Sequence, residues 1–154
     1  MTRIAGQVEI DAPVAAVFDM VADERNEPRY NPRIARARMT SQGPVGAGAQ
    51  FVADPRSMGS RGEMTLTILD YDRPHHLHNL VTSSYMNVDG NLTFEESGGG
   101  TLLSWDWEMH LVGRWRALSP VLRLVGPRWE RRNWVGLKRF MESGGPSDGD
   151  EDPR

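Results

Sequence analysis

The sequence predicts an α+β fold in which an antiparallel sheet is completed by a long C-terminal helix, and three observations carry that reading. Residues 8–23 pass directly from a strand into a helix at Asp11-Ala12-Pro13. Residues 34–112 read as consecutive strands separated by turn residues, and residues 115–142 as one long helix. Strands joined by hairpins, with helices segregated to the two ends of the order, indicate α+β rather than alternating βα units.

Each element has a local reason. The first strand covers about residues 3–10. Pro13 then supplies a helical φ and has no N–H to leave unpaired at a helix start. Val14, Val17, Phe18 and Val21 recur at helical spacing. Residues 23–32 are polar, are broken by Pro28 and Pro32, and read as a second short helix or turn anchored by Tyr30. Strands follow at about 35–40, 47–54, 64–70, 76–82 and 85–95, with a hairpin loop at 54–62. Asp89-Gly90 falls inside the longer of these strands, where a glycine marks a bulge or a close approach. Ser97-Gly98-Gly99-Gly100 is the clearer turn.

The sharpest alternation comes next. Leu103, Trp105, Trp107, Met109 and Leu111 face one way, and Ser104, Asp106, Glu108 and His110 the other, giving one dry and one wet face. In the long helix, Ser119-Pro120 suits a first turn, and Gly126-Pro127 is expected to kink it. Leu118, Leu122, Val125, Trp129, Gly136 and Phe140 form the predicted inward stripe, flanked by Arg128, Arg131, Arg132, Lys138 and Arg139, with Trp134 off the stripe.

At 154 residues the chain is expected to form one domain over residues 1–142, followed by an acidic, disordered tail over 143–154. It has no cysteine, which excludes disulfides and thiolate chemistry. No apolar run approaches the roughly 20 residues of a membrane span, and the N-terminus lacks a signal peptide's apolar core, so a cytoplasmic location is expected. The net charge of −3 conceals a balance of +6 over residues 114–142 and −6 over the first 113. The basic flank reads as a solvated face, with contact to a membrane surface the less favoured alternative.

The opening Val8–Asp23, together with Tyr30-Asn31-Pro32, Tyr71-Asp72-Arg73-Pro74, Gly99-Gly100-Thr101 leading into Leu103-Ser104-Trp105, and Leu137-Lys138-Arg139-Phe140, resembles the START/Bet v 1-like superfamily, the polyketide cyclase/dehydrase and lipid-transport group. The resemblance implies a helix-grip fold, with seven antiparallel strands wrapped around the C-terminal helix and two short helices after the first strand. It also implies a ligand cavity between sheet and helix. Tyr30, Phe51, Trp105, Trp107, Met109, Leu122 and Trp129 would line it, the alternative being that these side chains simply fill the core. Two indoles on one strand face offer flat apolar walls with N–H donors, suited to a planar or lipid-like ligand.

The leading functional reading is therefore binding of a hydrophobic small molecule without turnover. The second is a cyclase-type enzyme performing aldol cyclisation or dehydration, with Tyr30, Arg61, Tyr85, Asn87 and Arg114 as unranked acid–base candidates. The third is an interaction module anchored by an exposed Trp134. No catalytic triad, nucleophile elbow or phosphate loop is present. His75, His76, His78 and His110 do not form a metal-binding pattern, and no cofactor is expected. An isoelectric point near 5.8 and the lack of a recognised motif argue against nucleic acid.

Overall fold

The computed structural model describes residues 1–144; the acidic stretch from residue 145 onward lies outside the described residues. Strand β1 (Thr2–Ile10) runs into helix α1 (Val14–Ala22) through Pro13, whose φ is −59° and whose carbonyl accepts from Val17 N–H at 3.0 Å. Val14, Val17, Phe18 and Val21 are buried as their spacing predicts, and Phe18 meets Phe94 and Tyr71 edge-on at 5.0 and 5.2 Å between centroids. The polar segment after α1 is a 3₁₀ helix, Glu24–Arg29, started by the Asp23 carboxylate accepting from Arg25 N–H at 3.1 Å.

Strands β2 (Ile34–Met39), β3 (Gln50–Pro55), β4 (Met64–Asp72), β5 (His76–Thr82), β6 (Met86–Ser97) and β7 (Gly100–Leu111) complete the sheet. Its order is β1-β7-β6-β5-β4-β3-β2, and every neighbouring pair is antiparallel. A 3₁₀ helix, Gly113–Leu118, then leads into α2 (Ser119–Glu142). The curled seven-stranded sheet with its long C-terminal helix is the helix-grip arrangement. Among the described residues no helix is long and apolar enough to cross a membrane.

Register places three rows of side chains on the inner face. Thr2, Met109, Val88, Val81, Leu66 and Phe51 form one row, and Ile4, Trp107, Gly90, Asn79 and Ile68 the next. Gly6, Trp105, Leu92, Leu77 and Tyr71 form the third. Gly90 is a close approach inside a regular strand. A Cβ there would lie 1.7 Å from the Trp107 ring, and one at Gly6 would lie 2.5 Å from the Trp105 ring. Both indoles therefore lie flat on the sheet, each over a glycine of a neighbouring strand.

Helix α2 continues through Gly126-Pro127 as a single helix. Its two glycines are points of tight contact. A Cβ on Gly126 would meet Ile4 Cδ1 at 2.5 Å, and one on Gly136 would meet the Tyr30 carbonyl oxygen at 2.5 Å. The far end is tied to β1 by Lys138, whose ammonium donates to the Glu9 carbonyl at 2.7 Å and to Glu142 Oε1 at 2.6 Å. Lys138 thus carries a structural contact that the solvated-flank reading did not assign to it.

Candidate functional site

The inward face of α2 differs from the predicted stripe by about one residue, close to 100° of helix rotation. Gly126, Asn133, Trp134 and Leu137 are buried, and Glu130 lies on the same face, whereas Trp129 is 47% exposed. Trp134, expected outside, is 4% exposed and stacks on Trp105 at 5.9 Å, with Trp107 at 6.4 Å. Trp129 instead lies under the Arg33 guanidinium at 5.8 Å on the outside of the helix. The expected anchor for a partner and the expected pocket wall have therefore exchanged places. Trp134 also occupies the space over Trp105 and Trp107 where the sequence reading placed ligand.

Behind the indoles lies a polar cluster. Trp107 N–H donates to Glu130 Oε2 at 2.8 Å, and Arg33 approaches the same carboxylate at 3.9 Å. Burial raises the Glu130 pKa above its ordinary value. The Trp107 hydrogen bond and the Arg33 charge oppose that shift, and the charge of Glu27 adds to it. Opposite, Glu24 and Glu27 face one another from the 3₁₀ helix, and Asn31 Nδ2 donates to Glu27 Oε1 at 2.8 Å. Burial, reinforced by the Glu27 charge, pushes the Glu24 carboxyl well above the usual range. Desolvation, with the charges of Glu27 and Glu24, also raises the Tyr30 phenol well above its usual value. In its protonated form, which this shift favours, a carboxyl beside a second carboxyl both donates and accepts hydrogen bonds.

Several buried polar atoms of this interior find no hydrogen-bond partner. They are the indole nitrogen of Trp105 and the side-chain oxygens of Asn79 and Asn133, whereas the Trp134 N–H is directed at Glu130 and favours its carboxylate form. Asn79 sits on the inner row beside Gly90, next but one to Trp107, while Asn133 and Trp134 follow Glu130 on α2.

The other sequence candidates divide cleanly. Tyr30, Phe51, Trp105, Trp107 and Met109 are buried, and Leu122 packs half-buried against the same core. Phe51 and Met109 share one cross-strand row, while Tyr30 joins the carboxyl cluster. Tyr85 donates to the Gly62 carbonyl at 3.1 Å and packs on Trp115, over which Arg114 also lies at 5.6 Å. Arg61 is exposed and Asn87 half-buried, and neither joins the cluster. His76 contacts Asp70 and Asn91 at 3.0 and 2.9 Å, and His78 contacts Asp89 at 2.7 Å, all away from the indoles.

Clefts on the surface of the described residues include two near this face. One of about 330 Å³ lies where β7 ends, between Met1, Met109, His110, Leu111, Arg116 and Ser119. Met109 is its link to the inner face. A shallower groove of about 590 Å³ runs along β1, β7 and β6, past Gln7, Asn91, Ser104 and Asp106.

Residues 1–142 match the family model described as polyketide cyclase / dehydrase and lipid transport. The chain belongs to this family. Solved structures sharing the fold include a START superfamily protein from Mycobacterium smegmatis, with a TM-score of 0.78 at 14% identity over 93% of this chain and 99% of that one. Ara h 8.0201 aligns with a TM-score of 0.71 at 15% identity, over 92% and 97% of the two chains. The di-domain ARO/CYC BexL from the BE-7585A biosynthetic pathway aligns with a TM-score of 0.70 at 19% identity, over 92% of this chain and 47% of its own length. Comparison with curated proteins gave no significant match. At these identities the likeness establishes the polyketide cyclase/dehydrase fold, and chemistry has to be read from the residues above.

Proposed function

We propose that this family member binds an apolar, planar or lipid-like small molecule carrying at least one oxygen, which enters through the cleft above Met109. The ligand's apolar body lies along Met109, Leu111 and Trp107, backed by Phe51, Leu122 and Trp105, and its oxygen reaches the carboxyl and amide groups around Glu130. Tyr30 closes the carboxyl side. One observation carries the reading: an otherwise apolar interior retains an unpaired Trp105 N–H and unpaired Asn79 and Asn133 oxygens, with Glu130, its pKa raised by burial, on the same face of α2 as Asn133. Buried polar atoms are normally satisfied, so a set of them together favours a ligand or water that completes them.

The test is titration of hydroxylated flat aromatics and of fatty acids while tryptophan emission is followed. Saturable quenching is expected, weakened at least tenfold by Met109→Trp, which fills the cleft, and by Glu130→Leu. Binding unchanged in a folded Met109→Trp protein would place the ligand elsewhere. A second reading, turnover, is favoured specifically by the Glu24–Glu27 pair, in which a proton donor faces a second carboxyl. Loss of water from a bound poly-β-ketone mimic, abolished by Glu24→Gln while binding persists, would establish it.

A further inference from the structure

We propose that the outer face of the 3₁₀ helix Gly113–Leu118 and of the first half of α2 docks on an anionic membrane surface. Among the described residues, seven large apolar side chains are exposed, and four of them fall within twelve positions: Leu118 (47%), Val121 (52%), Leu124 (77%) and Trp129 (47%). Arg114, Arg116, Arg123, Arg128, Arg131 and Arg132 are all exposed around them. None of these arginines forms an ion pair among the described residues. The single acid of the stretch, Glu130, is turned inward onto Trp107.

The order along the helix matters as much as the composition. Val121, Leu124, Arg128 and Arg131 fall at i, i+3, i+7 and i+10, one continuous outward ridge. Its apolar end lies next to the cleft and its basic end follows. A bilayer with acidic headgroups offers the matching sequence: hydrocarbon for the leucines and valine, phosphates for the guanidinium groups behind them. The preceding 113 residues carry a net charge of −6, so the basic ridge is a local feature. A second copy is a poorer occupant, because a two-fold interface would set the same arginines against one another. Arg116 and Ser119 line the 330 Å³ cleft, so docking would bring its mouth to headgroup depth. The surface does not depend on what the interior binds.

Co-sedimentation of the full chain with vesicles tests this, using phosphatidylcholine alone and phosphatidylcholine containing about 30% phosphatidylglycerol. Binding is expected only to the anionic vesicles and should be lost in high salt. Each arginine removed should lower the partition coefficient about fivefold, so Arg128→Gln/Arg131→Gln/Arg132→Gln should lower it about a hundredfold. Leu124→Asp should abolish binding, and all these residues are exposed, so the variants should keep the native circular dichroism. Trp129 emission should shift to the blue on anionic vesicles, a shift lost in Trp129→Phe. Absence of binding at low salt would overturn the proposal, as would binding indifferent to both sets of substitutions. A concentration-dependent dimer dispersed by Leu124→Asp would assign the face to a second copy and overturn it too.

Discussion

The two halves of α2 obey opposite rules. From Ser119 to Trp129 the apolar side chains Val121, Leu124 and Trp129 face outward, and Gly126 is seated against Ile4 of the sheet with Leu122 half-buried against the same core. From Glu130 to Glu142, Trp134 and Leu137 are buried, together with the polar Asn133 and much of Glu130. Hydrophobicity alone does not decide which face of this helix is inside. The contact is set by how closely the backbone can approach β1 and the Tyr30 carbonyl, and glycine governs that at both levels.

The largest effect should separate the two tryptophans. Trp134→Ala removes a buried indole packed on Trp105 and Trp107 and should cost about 3–5 kcal/mol. Trp129→Ala gives up mainly its contact with Arg33 and should cost about 0.5–1 kcal/mol. Chemical denaturation of both variants measures the difference, and equal losses would break the comparison. Gly136→Ala comes next, since its new methyl meets the Tyr30 carbonyl oxygen and should cost about 1–3 kcal/mol.

The carboxyls give a pH-dependent effect. In Glu24 the folded-state pKa is raised, so the folded chain holds a proton that the unfolded chain has already released. The contribution is neutral at low pH, and stability falls as pH rises from the ordinary 4.5 through the raised value. Glu24→Gln should therefore gain on the native protein across that window in thermal melts taken from pH 4 to about pH 8. A constant difference between the two curves would show that Glu24 is not desolvated in the folded chain.

The smallest effect distinguishes two cations in the second half of the helix. Lys138→Gln breaks the bond to the Glu9 carbonyl and should cost about 1 kcal/mol. Arg131→Gln should change stability by less than about 0.5 kcal/mol. Equal, negligible losses in denaturation would return Lys138 to the solvated flank.

Much of the fold was legible because its signals are local. Pro13 fixes the strand-to-helix corner, Leu103 to Met109 alternate cleanly, and Gly90 inside a strand marked a bulge or a close approach, of which the structure has the close approach. The site was harder to read because its members are buried polar groups, which weaken the pattern that reveals buried faces. Choosing the most apolar stripe selected Trp129, although Gly126, Glu130, Asn133, Trp134 and Leu137 are also helically spaced. Glu24 and Glu27 read as part of a polar turn because the carboxyl that Glu27 acts on, Glu130 of α2, comes roughly a hundred residues later in the chain. Only the wrapped sheet brings those segments together.

Site-resolved titration of the glutamate carboxyls by carbon-13 NMR tests the central claim most directly, because α2 carries its own control. Glu130, buried against Trp107, should titrate above 4.5, as should Glu24, while Glu142, which accepts from Lys138 and from the Asp11 N–H, should titrate below it. Glu130, Glu24 and Glu142 titrating together at the ordinary value would contradict the account, because no carboxyl would then be held inside the grip of the sheet.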